Sequence, residues 1–411
     1  MFPLKRKFFS TIWRLKQFVL GSYTSIIKFF VELLTERYWL LDFLPTLGKK
    51  REGVLLIRLD LIGDFILWLD AAQAFRLIYP NQKITLIVNG ACAELAESLP
   101  HWDEVISVDV PQLRTNYIYR LHILIRLRWR GFSVAIQPTF SREYVGDLLL
   151  RGTFASNRIG YEGDSNNLLP SIKCKTDTWY TRIIPNDPSH RMELNINAHL
   201  VRTLGCSGFK SRLPVIPSIT MLPIPLQFSV PYIVIAPGAS WQPKMWPIKN
   251  FARLCKQLTT ELEVQVLVCG GLGDQKICRE LEFLLAPEKI TDLSGKTSLV
   301  ELIEVIRGAA LVITNDSAPA HIAAAVLTQA VCIVGGGHPD RFLPYTPEIA
   351  AETPTVINRH LDCLGCLWRC KYTTDEHTAV PCIADIPFDE VYDACLLRLK
   401  PITSPRTSLA H

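Results

Sequence analysis

Short apolar runs alternate with amphipathic stretches along most of the chain, and this alternation predicts an α/β protein. A run of strand type followed by a helical run, repeated, is typical of a parallel sheet covered by helices. In the first half the predicted strands are 53–58, 84–88, 105–108 and 133–137, and the predicted helices are 65–78, 91–98 and 117–130. In the second half the predicted strands are 232–236, 264–269, 311–313 and 330–334, and the predicted helices are 248–262, 275–285, 298–308 and 320–326.

Five prolines within 214–231 indicate a linker between the two halves. A chain of 411 residues is also too long for one compact core. We therefore predict an N-terminal helical extension, two Rossmann-like doubly wound domains that face a central cleft, and a tail. The predicted bounds are 1–51, 52–225, 226–395 and 396–411.

The stretch from Leu311 to Ala325 delivers polar groups from the end of a strand to the start of a helix. The first N–H groups of a helix lack backbone partners, so such a junction favours an anion. Asp316 or Ser317 can instead serve only as a helix cap. His321, one turn into the helix, lies on the face that points back to the junction.

Three further loops follow predicted strands and contain groups suited to a nucleotide ligand. In 58–64, Gly63 allows a tight turn, and Asp64 is either an N-cap or a base able to accept a proton. In 236–247, Gly238, Ser240 and Lys244 resemble a phosphate cradle.

The third loop, 269–274, is glycine-rich, and its Asp274 is able to hydrogen-bond a ribose. Neither a Walker A motif nor the G-x-G-x-x-G dinucleotide fingerprint is present in the sequence. An NAD-dependent oxidoreductase is therefore not indicated.

The positive charge of the chain is concentrated at its start. The net charge is +5, but residues 1–51 alone contribute +7, so the body is slightly acidic and is not a general nucleic-acid binder. Lys28, Glu32 and Glu36 interrupt the apolar residues of this extension, which argues against a transmembrane helix. An interfacial amphipathic helix and a helix packed on the body both fit the pattern.

Most of the twelve cysteines are scattered in apolar settings, as expected in a reducing compartment. Cys363, Cys366, Cys370 and Cys382 are the exception, because their spacing suits a structural zinc and His360 and His377 lie nearby. Two disulfides or plain surface thiols are the alternatives.

Four stretches of the body resemble glycosyltransferase family 9, the ADP-heptose:lipopolysaccharide heptosyltransferases. The similarity covers roughly residues 52–395. The matching stretches are Val54 to Asp64, with Ala71, Ala72, Tyr79 and Pro80; Pro237 to Trp241, with Lys244, Trp246 and Pro247; Leu293 to Leu299; and Asn315 to Ala324.

The resemblance implies a GT-B fold and assigns roles to individual residues. It makes Asp64 the catalytic base of an inverting glycosyl transfer. Ser240, Lys244, Ser317 and Ala318 are then expected to bind the donor phosphates. The nucleotide-sugar site is expected to include Gly238, Ala239, Gly271, Asp274, Asp316 and His321.

The resemblance also implies the partners: a nucleotide-diphosphate sugar donor, and a lipid-linked or cell-surface glycan acceptor such as a lipopolysaccharide core. The anionic membrane surface is a further expected partner, with the protein on the cytoplasmic side and peripheral to the membrane. Given this family, the basic side chains of helix 117–130 are expected to contact that surface or the acceptor, although a solvated basic face explains them as well. They are Arg120, Arg126, Arg128 and Arg130.

The sequence contains no Asp-x-Asp motif, so we expect catalysis to need no metal cofactor. Ala318 stands where the family usually has glycine, and Gly336-Gly337-His338 stands where Gly-Pro-Thr is common. These departures leave the donor sugar open. The alternatives are a different hexose donor or a non-catalytic homologue that binds sugar nucleotides.

Overall fold

The computed structural model describes residues 51–218, 230–285, 290–349, 354–372 and 377–403. The predicted extension, apart from Arg51, lies outside the described residues. So do the predicted domain boundary between residues 225 and 226, and residues 404–411 of the predicted tail.

Thirteen α-helices lie in the described part of the chain. They are α1 Ile62–Ile78, α2 Ala93–Glu97, α3 Val110–Thr115, α4 Tyr117–Arg130, α5 Tyr144–Gly152, α6 Pro170–Asp177, α7 Glu193–Thr203, α8 Ile248–Glu261, α9 Gln275–Leu285, α10 Leu299–Arg307, α11 Ala318–Ala325, α12 Pro381–Ala384 and α13 Phe388–Thr403. Within the same residues, no helix has the length and apolar character needed to cross a membrane.

The strands of the described residues form two six-stranded sheets. The first contains β1 Val54–Arg58, β2 Ile84–Asn89, β3 Glu104–Val108, β4 Val134–Gln137, β5 Asn157–Tyr161 and β6 Arg182–Ile184. The second contains β7 Tyr232–Ala236, β8 Gln265–Val268, β9 Ile290–Asp292, β10 Leu311–Asn315, β11 Ala330–Val334 and β12 Thr355–Asn358.

The first sheet has the strand order β3-β2-β1-β4-β5-β6, and β1 pairs in parallel with both β2 and β4. All five residues of β1 are buried, as expected for a central parallel strand covered on both faces. The order reverses between β1 and β4, which is the topological switch point of a doubly wound sheet.

The second sheet repeats this arrangement, with the order β12-β11-β10-β7-β8-β9. Its switch point lies between β7 and β10, which pair in parallel with Thr314 opposite Ala236. Buried side chains of α8, α9 and α13 pack with those of the strands into one core, which includes Trp246 and Phe251. The predicted α/β class with two Rossmann-like sheets is thus confirmed.

Contacts divide the described residues into two compact units. The first holds 51–59, 81–90 and 106–184, and the second holds 60–80, 91–105 and the described residues from 185 onward. The α1 helix therefore belongs to the second unit, although it directly follows the first strand of the first sheet. The predicted cleft between the two domains stays a prediction.

The start of α1 differs from the sequence-based prediction. We expected a turn over 60–64 and a helix from Phe65, but the helix begins at Ile62 with Leu61 as its N-cap. Asp64 is thus inside the first turn, so of the two interpretations of Asp64 the N-cap alternative is wrong. Gly63 is likewise a helical residue here and does not form a tight turn.

Candidate functional site

The candidate site lies in the second unit, where two loops leave the switch point of its sheet. The 237–247 loop follows β7, and Asp316 and Ser317 follow β10. Because β7 and β10 are neighbours with parallel direction, both loops begin at the same edge of the sheet. Ligands of open α/β sheets bind at this position, outside the carboxyl ends of the strands.

Asn315 fastens the 237–247 loop to the end of β10. Its side-chain Nδ2 donates to the carbonyl of Pro237 at 2.7 Å, and its Oδ1 accepts from the backbone N–H of Trp246 at 3.0 Å. The side chain is fully buried, so both hydrogen bonds are shielded from water. One amide thus fixes both ends of the loop that contains Ser240 and Lys244.

The N-terminus of α11 is not closed by a side-chain cap. Ser317 occupies the N-cap position, but its hydroxyl makes no capping bond and lies 3.2 Å from the Thr314 hydroxyl. Capping alone therefore does not explain the polar residues at this junction. Its role as an anion site stays a prediction.

Lys244 lies among the acidic groups of this junction. Burial lowers the pKa of its ammonium group, whereas the negative charges of Asp316 and Asp64 act to raise it. Conversely, burial raises the pKa of Asp316, and Lys244 opposes that shift. The structure therefore brings Asp64, Lys244 and Asp316 together, three residues that lie far apart in sequence and that the sequence assigned to one site.

The first turn of α1 approaches α11 closely at Gly63. A Cβ atom built on Gly63 would lie 3.1 Å from Cδ2 of His321 and 3.7 Å from Cα of Ala318. Glycine thus gives the room that this helix contact needs, and the contact sets the position of the next residue, Asp64, against the start of α11.

His321 is buried and is held by Tyr345. Its Nδ1 lies 2.7 Å from the Tyr345 hydroxyl, and burial lowers the pKa of the imidazole to about 4. The ring is therefore neutral near pH 7 and contributes no positive charge to the anion site. Burial raises the pKa of Tyr345 well above its usual value, so the phenol also stays uncharged.

Gly238, Gly271 and Asp274 form a second small cluster, which includes the start of the 237–247 loop. A carboxylate oxygen of Asp274 accepts from the Gly271 N–H at 2.9 Å, and a Cβ atom on Gly238 would overlap the same carboxylate. Gly238 is buried, Ala239 is half-buried and Ser240 is exposed. The contacts of Asp274 within the described residues thus shape two loops, and its role toward a ribose stays a prediction.

The predicted basic surface on α4 needs a correction. Arg120 is 4% exposed because it donates to the carbonyls of Leu113 and Arg114, and Arg128 is 8% exposed because its guanidinium lies over the Phe154 ring. Contrary to the prediction, neither arginine side chain lies at the surface. Arg126 is exposed and Arg130 is half-buried, and their role toward membrane or acceptor stays a prediction.

Cys363, Cys366, Cys370 and Cys382 line one small pocket. Burial raises the pKa of the Cys363 and Cys382 thiols, and the neighbouring cysteines raise it further. The four sulfur atoms are nevertheless not all within 4.8 Å of one another. Thiols are the kind of ligand that a soft metal ion prefers. To ligate one ion together, however, the four sulfur atoms would have to lie closer to one another than they do here.

Among the described residues, the side chains whose possible metal-ligand atoms all lie within 4.8 Å of one another are those of Asp187, His190 and His199. Nε2 of His190 already lies 3.0 Å from Nη2 of Arg202. A guanidinium beside this imidazole disfavours a second cation there, so we assign no metal to the group.

Sequence reasoning missed three residues of the site region: Asn315, Tyr345 and Trp368. Asn315 was part of the matched motif, and its place between Thr314 and Asp316 was the available signal. Trp368 lies in the Cys-rich segment, defined here as residues 363–372 and 377–382, and its ring centroid is 4.2 Å from Nζ of Lys244. No pattern in the sequence indicates that contact or the one between Tyr345 and His321.

Comparison with known proteins gives a consistent result. Residues 215–367 match the family model of glycosyltransferase family 9 (heptosyltransferase). Lipooligosaccharide heptosyltransferase 2 of Haemophilus influenzae is 24% identical over 320 residues, which cover 74% of this chain and 88% of that protein.

Two solved structures share the fold. The Escherichia coli ADP-heptose lipopolysaccharide heptosyltransferase II has a TM-score of 0.62 at 20% identity and covers 86% of this chain and 100% of its own. The iron-containing dodecameric glycosyltransferase TibC of enterotoxigenic E. coli has a TM-score of 0.53 at 18% identity, with 87% of this chain and 78% of its own covered. These likenesses confirm the GT-B fold expected from the sequence.

Proposed function

We propose, from the premise that this chain belongs to glycosyltransferase family 9, that it is an inverting enzyme with Asp64 as its general base. The chain is a glycosyltransferase related to those of lipopolysaccharide core biosynthesis. The observation that supports the mechanism is the joint placement of Asp64, Lys244 and Asp316 at the N-terminus of α11.

In the proposed reaction, the Asp64 carboxylate accepts the proton of an acceptor hydroxyl. The hydroxyl oxygen attacks the anomeric carbon and forms the glycosidic bond as the bond from that carbon to the diphosphate oxygen breaks. Inversion follows because attack and departure occur on opposite faces. The Lys244 ammonium and the backbone N–H of Ala318, at the N-terminus of α11, stabilise the negative charge of the departing nucleoside diphosphate.

Partial burial of Lys244 supports this role. An ammonium partly removed from water interacts more strongly with a diphosphate than an exposed one does. The negative charges of Asp64 and Asp316 favour the charged form of the ammonium and oppose the effect of burial on its pKa. Ser240, exposed in the same loop, and Ser317 are able to donate hydroxyl hydrogen bonds to the same phosphates.

We propose an ADP-heptose or related nucleotide sugar as donor, because the E. coli relative is named for ADP-heptose. The methyl of Ala318 lies at the first position of α11, next to the close approach of Gly63. A methyl there narrows the space at the helix N-terminus relative to glycine. We therefore propose that Ala318 influences which sugar the enzyme accepts.

The proposed acceptor is a lipopolysaccharide-core or other lipid-linked glycan at the cytoplasmic face of the membrane. The basic charge of residues 1–51 and the exposed guanidinium of Arg126 support contact with an anionic surface. Co-sedimentation with neutral and anionic liposomes tests this. Equal binding to both would contradict the proposal.

The enzymatic proposal is tested with Asp64→Asn and a panel of ADP-, GDP- and UDP-sugars, with product detected by intact mass. We expect at least a 100-fold loss of kcat because a positioned base contributes about 10²–10⁴-fold, while the affinity for donor stays near that of the wild type. Asp389→Asn, whose side chain is 84% exposed, is the matched control.

Two results separate this proposal from its alternative. Full activity of Asp64→Asn would show that the base is another group. Donor binding by the wild type without transfer to any lipopolysaccharide-core acceptor would favour a non-catalytic homologue that binds sugar nucleotides.

We further propose that the four-cysteine pocket binds a structural metal ion, zinc by the spacing of the cysteines, and that the sulfur atoms move closer together when the ion binds. The E. coli TibC relative is described as iron-containing, so elemental analysis of purified protein should cover both metals. We expect about one equivalent per chain, lost when Cys366 is replaced by serine. Less than a tenth of an equivalent of any transition metal would refute this.

A further inference from the structure

The Cys-rich segment reaches the candidate donor site through Trp368. The ring of this residue lies over the Lys244 ammonium, 4.2 Å from Nζ to the ring centroid. At this distance the negative face of the indole attracts the cation. Within the described residues, Trp368 is thus the aromatic partner of the lysine proposed to bind the donor phosphates.

The backbone of the segment is fixed to the turn that follows β11. Gly365 donates to the carbonyl of Gly336 at 2.8 Å, and Leu367 donates to that of Gly337 at 3.0 Å. The two residues Leu367 and Trp368 have positive φ of 52° and 63°, a left-handed conformation that costs free energy for non-glycine residues. Such a conformation persists only where surrounding contacts hold it.

The glycines after β11 provide the space for the indole. A Cβ atom on Gly335 would lie 2.6 Å from Cη2 of Trp368, and one on Gly337 would overlap the same ring. Neither glycine has positive φ, so their backbone conformation alone does not require glycine. What these positions require is the absence of a side chain beneath Trp368.

The Cys-rich segment also forms hydrogen bonds with the 237–247 loop. The Val380 N–H donates to the carbonyl of Pro243 at 3.0 Å, one residue before Lys244. Nε2 of Gln242 donates to the carbonyl of His377 at 3.3 Å. The 237–247 loop thus contacts the Cys-rich segment in two ways: through hydrogen bonds of Pro243 and Gln242, and through the Lys244 ammonium, which lies over the Trp368 ring.

We propose that Trp368 is a positioning residue that orients Lys244 for the donor diphosphate, which makes the Cys-rich segment part of the donor site. This inference rests on the proposed function. A lysine side chain loses much rotamer freedom when it binds a phosphate. An indole that already restricts the ammonium lowers that cost, and so strengthens binding without contacting the ligand.

Binding of ADP, measured by isothermal titration calorimetry, tests the proposal in four proteins: wild type, Trp368→Leu, Lys244→Met and the double variant. We expect Trp368→Leu to raise the Kd for ADP about five- to ten-fold, because the rotamer-rich side chain of Lys244 then has to be immobilised by the ligand. In the Lys244→Met background the same change should have an effect below two-fold, because Trp368 acts through the lysine.

Trp368→Phe is the conservative variant and should restore affinity to within about two-fold of wild type, because a phenyl ring keeps a negative face. Phe283→Leu, at an 81% exposed position on α9, and Lys256→Met, at an exposed position on α8, are the matched controls. Circular dichroism and the thermal midpoint identify any variant that fails to fold; if Trp368→Leu does, Trp368→Met, which keeps bulk without an aromatic ring, takes its place in both backgrounds with the same expected result.

The outcomes distinguish this inference from the proposed function. If the wild type does not bind ADP or any other nucleoside diphosphate, the proposed function fails. If Lys244→Met weakens ADP binding but Trp368→Leu does not, or if Trp368→Leu weakens it equally in both backgrounds, only the positioning role of Trp368 is refuted.

Discussion

The side-chain amide of Asn315 allows a quantitative test, because it connects two buried backbone groups of the 237–247 loop. In Asn315→Ala, the N–H of Trp246 and the carbonyl of Pro237 both lose their partner. An unsatisfied buried polar group costs about 1–3 kcal/mol, so we expect a loss of about 3 kcal/mol in the free energy of unfolding.

The same change should weaken donor binding, because the loop that contains Lys244 then has to be ordered by the ligand. Fixing the backbone of one residue costs about 1–2 kcal/mol, so two loosened residues imply at least a ten-fold increase in the Kd for ADP. Urea unfolding followed by tryptophan fluorescence measures the first effect, and calorimetry the second.

The matched control is Asn166→Ala, at an exposed position whose amide is hydrogen-bonded within its own turn to Asp164. We expect it to change the free energy of unfolding by less than about 0.5 kcal/mol. The reasoning is refuted if Asn315→Ala loses less than about 1 kcal/mol and binds ADP within two-fold of the wild type.

Three further predictions concern stability and pH. The folded-state pKa of His321 is about 4, below the 6.5 of the unfolded chain, so the free energy of unfolding falls as pH drops from about 6.5 toward 4. His321→Gln should remove about 3 kcal/mol of that pH dependence, measured by urea titrations at stepped pH. An unchanged dependence of the unfolding free energy on pH would contradict the assignment. Gly238→Ala should destabilise the protein because the new Cβ atom would overlap the Asp274 carboxylate. Adding Asp274→Ala to that variant should recover part of the lost stability, whereas additive effects of the two changes in thermal unfolding would show that the positions are not coupled. Asp147→Asn should destabilise the first unit by about 2 kcal/mol, because it removes one of the two carboxylates that face the fully buried Arg142, and the thermal midpoint should fall. An unchanged midpoint would show that Asp177 alone balances the guanidinium.

Much of the fold follows from local pattern. The strands Tyr232–Ala236 and Ala330–Val334 and the helices Tyr117–Arg130 and Gln275–Leu285 have the bounds that the sequence predicts. In each case an apolar or amphipathic run ends where the pattern changes, so local information is sufficient. The order of these elements then indicates a doubly wound sheet.

The start of α1 was harder to predict, because a glycine followed by an aspartate is common in turns as well as in a first helical turn. The neighbour that explains Gly63 is His321, more than 250 positions later. The contact of Trp368 with Lys244 and the clamp made by Asn315 are equally non-local. Which residues join the site follows from the tertiary packing, and no periodicity records it.

The position of α1 has a consequence for how the protein can be divided. A fragment cut at the predicted linker, from residue 230 onward, would contain every strand of the second sheet but not this helix. Leu67 of α1 shares a core with Ala320 and Ala324 of α11, so the fragment would expose that apolar surface to water. Expression of the two pieces together, rather than of the second alone, is therefore the route by which α11 regains its neighbour. Any domain-swap chimera of this enzyme should keep residues 60–80 with the half that follows the linker.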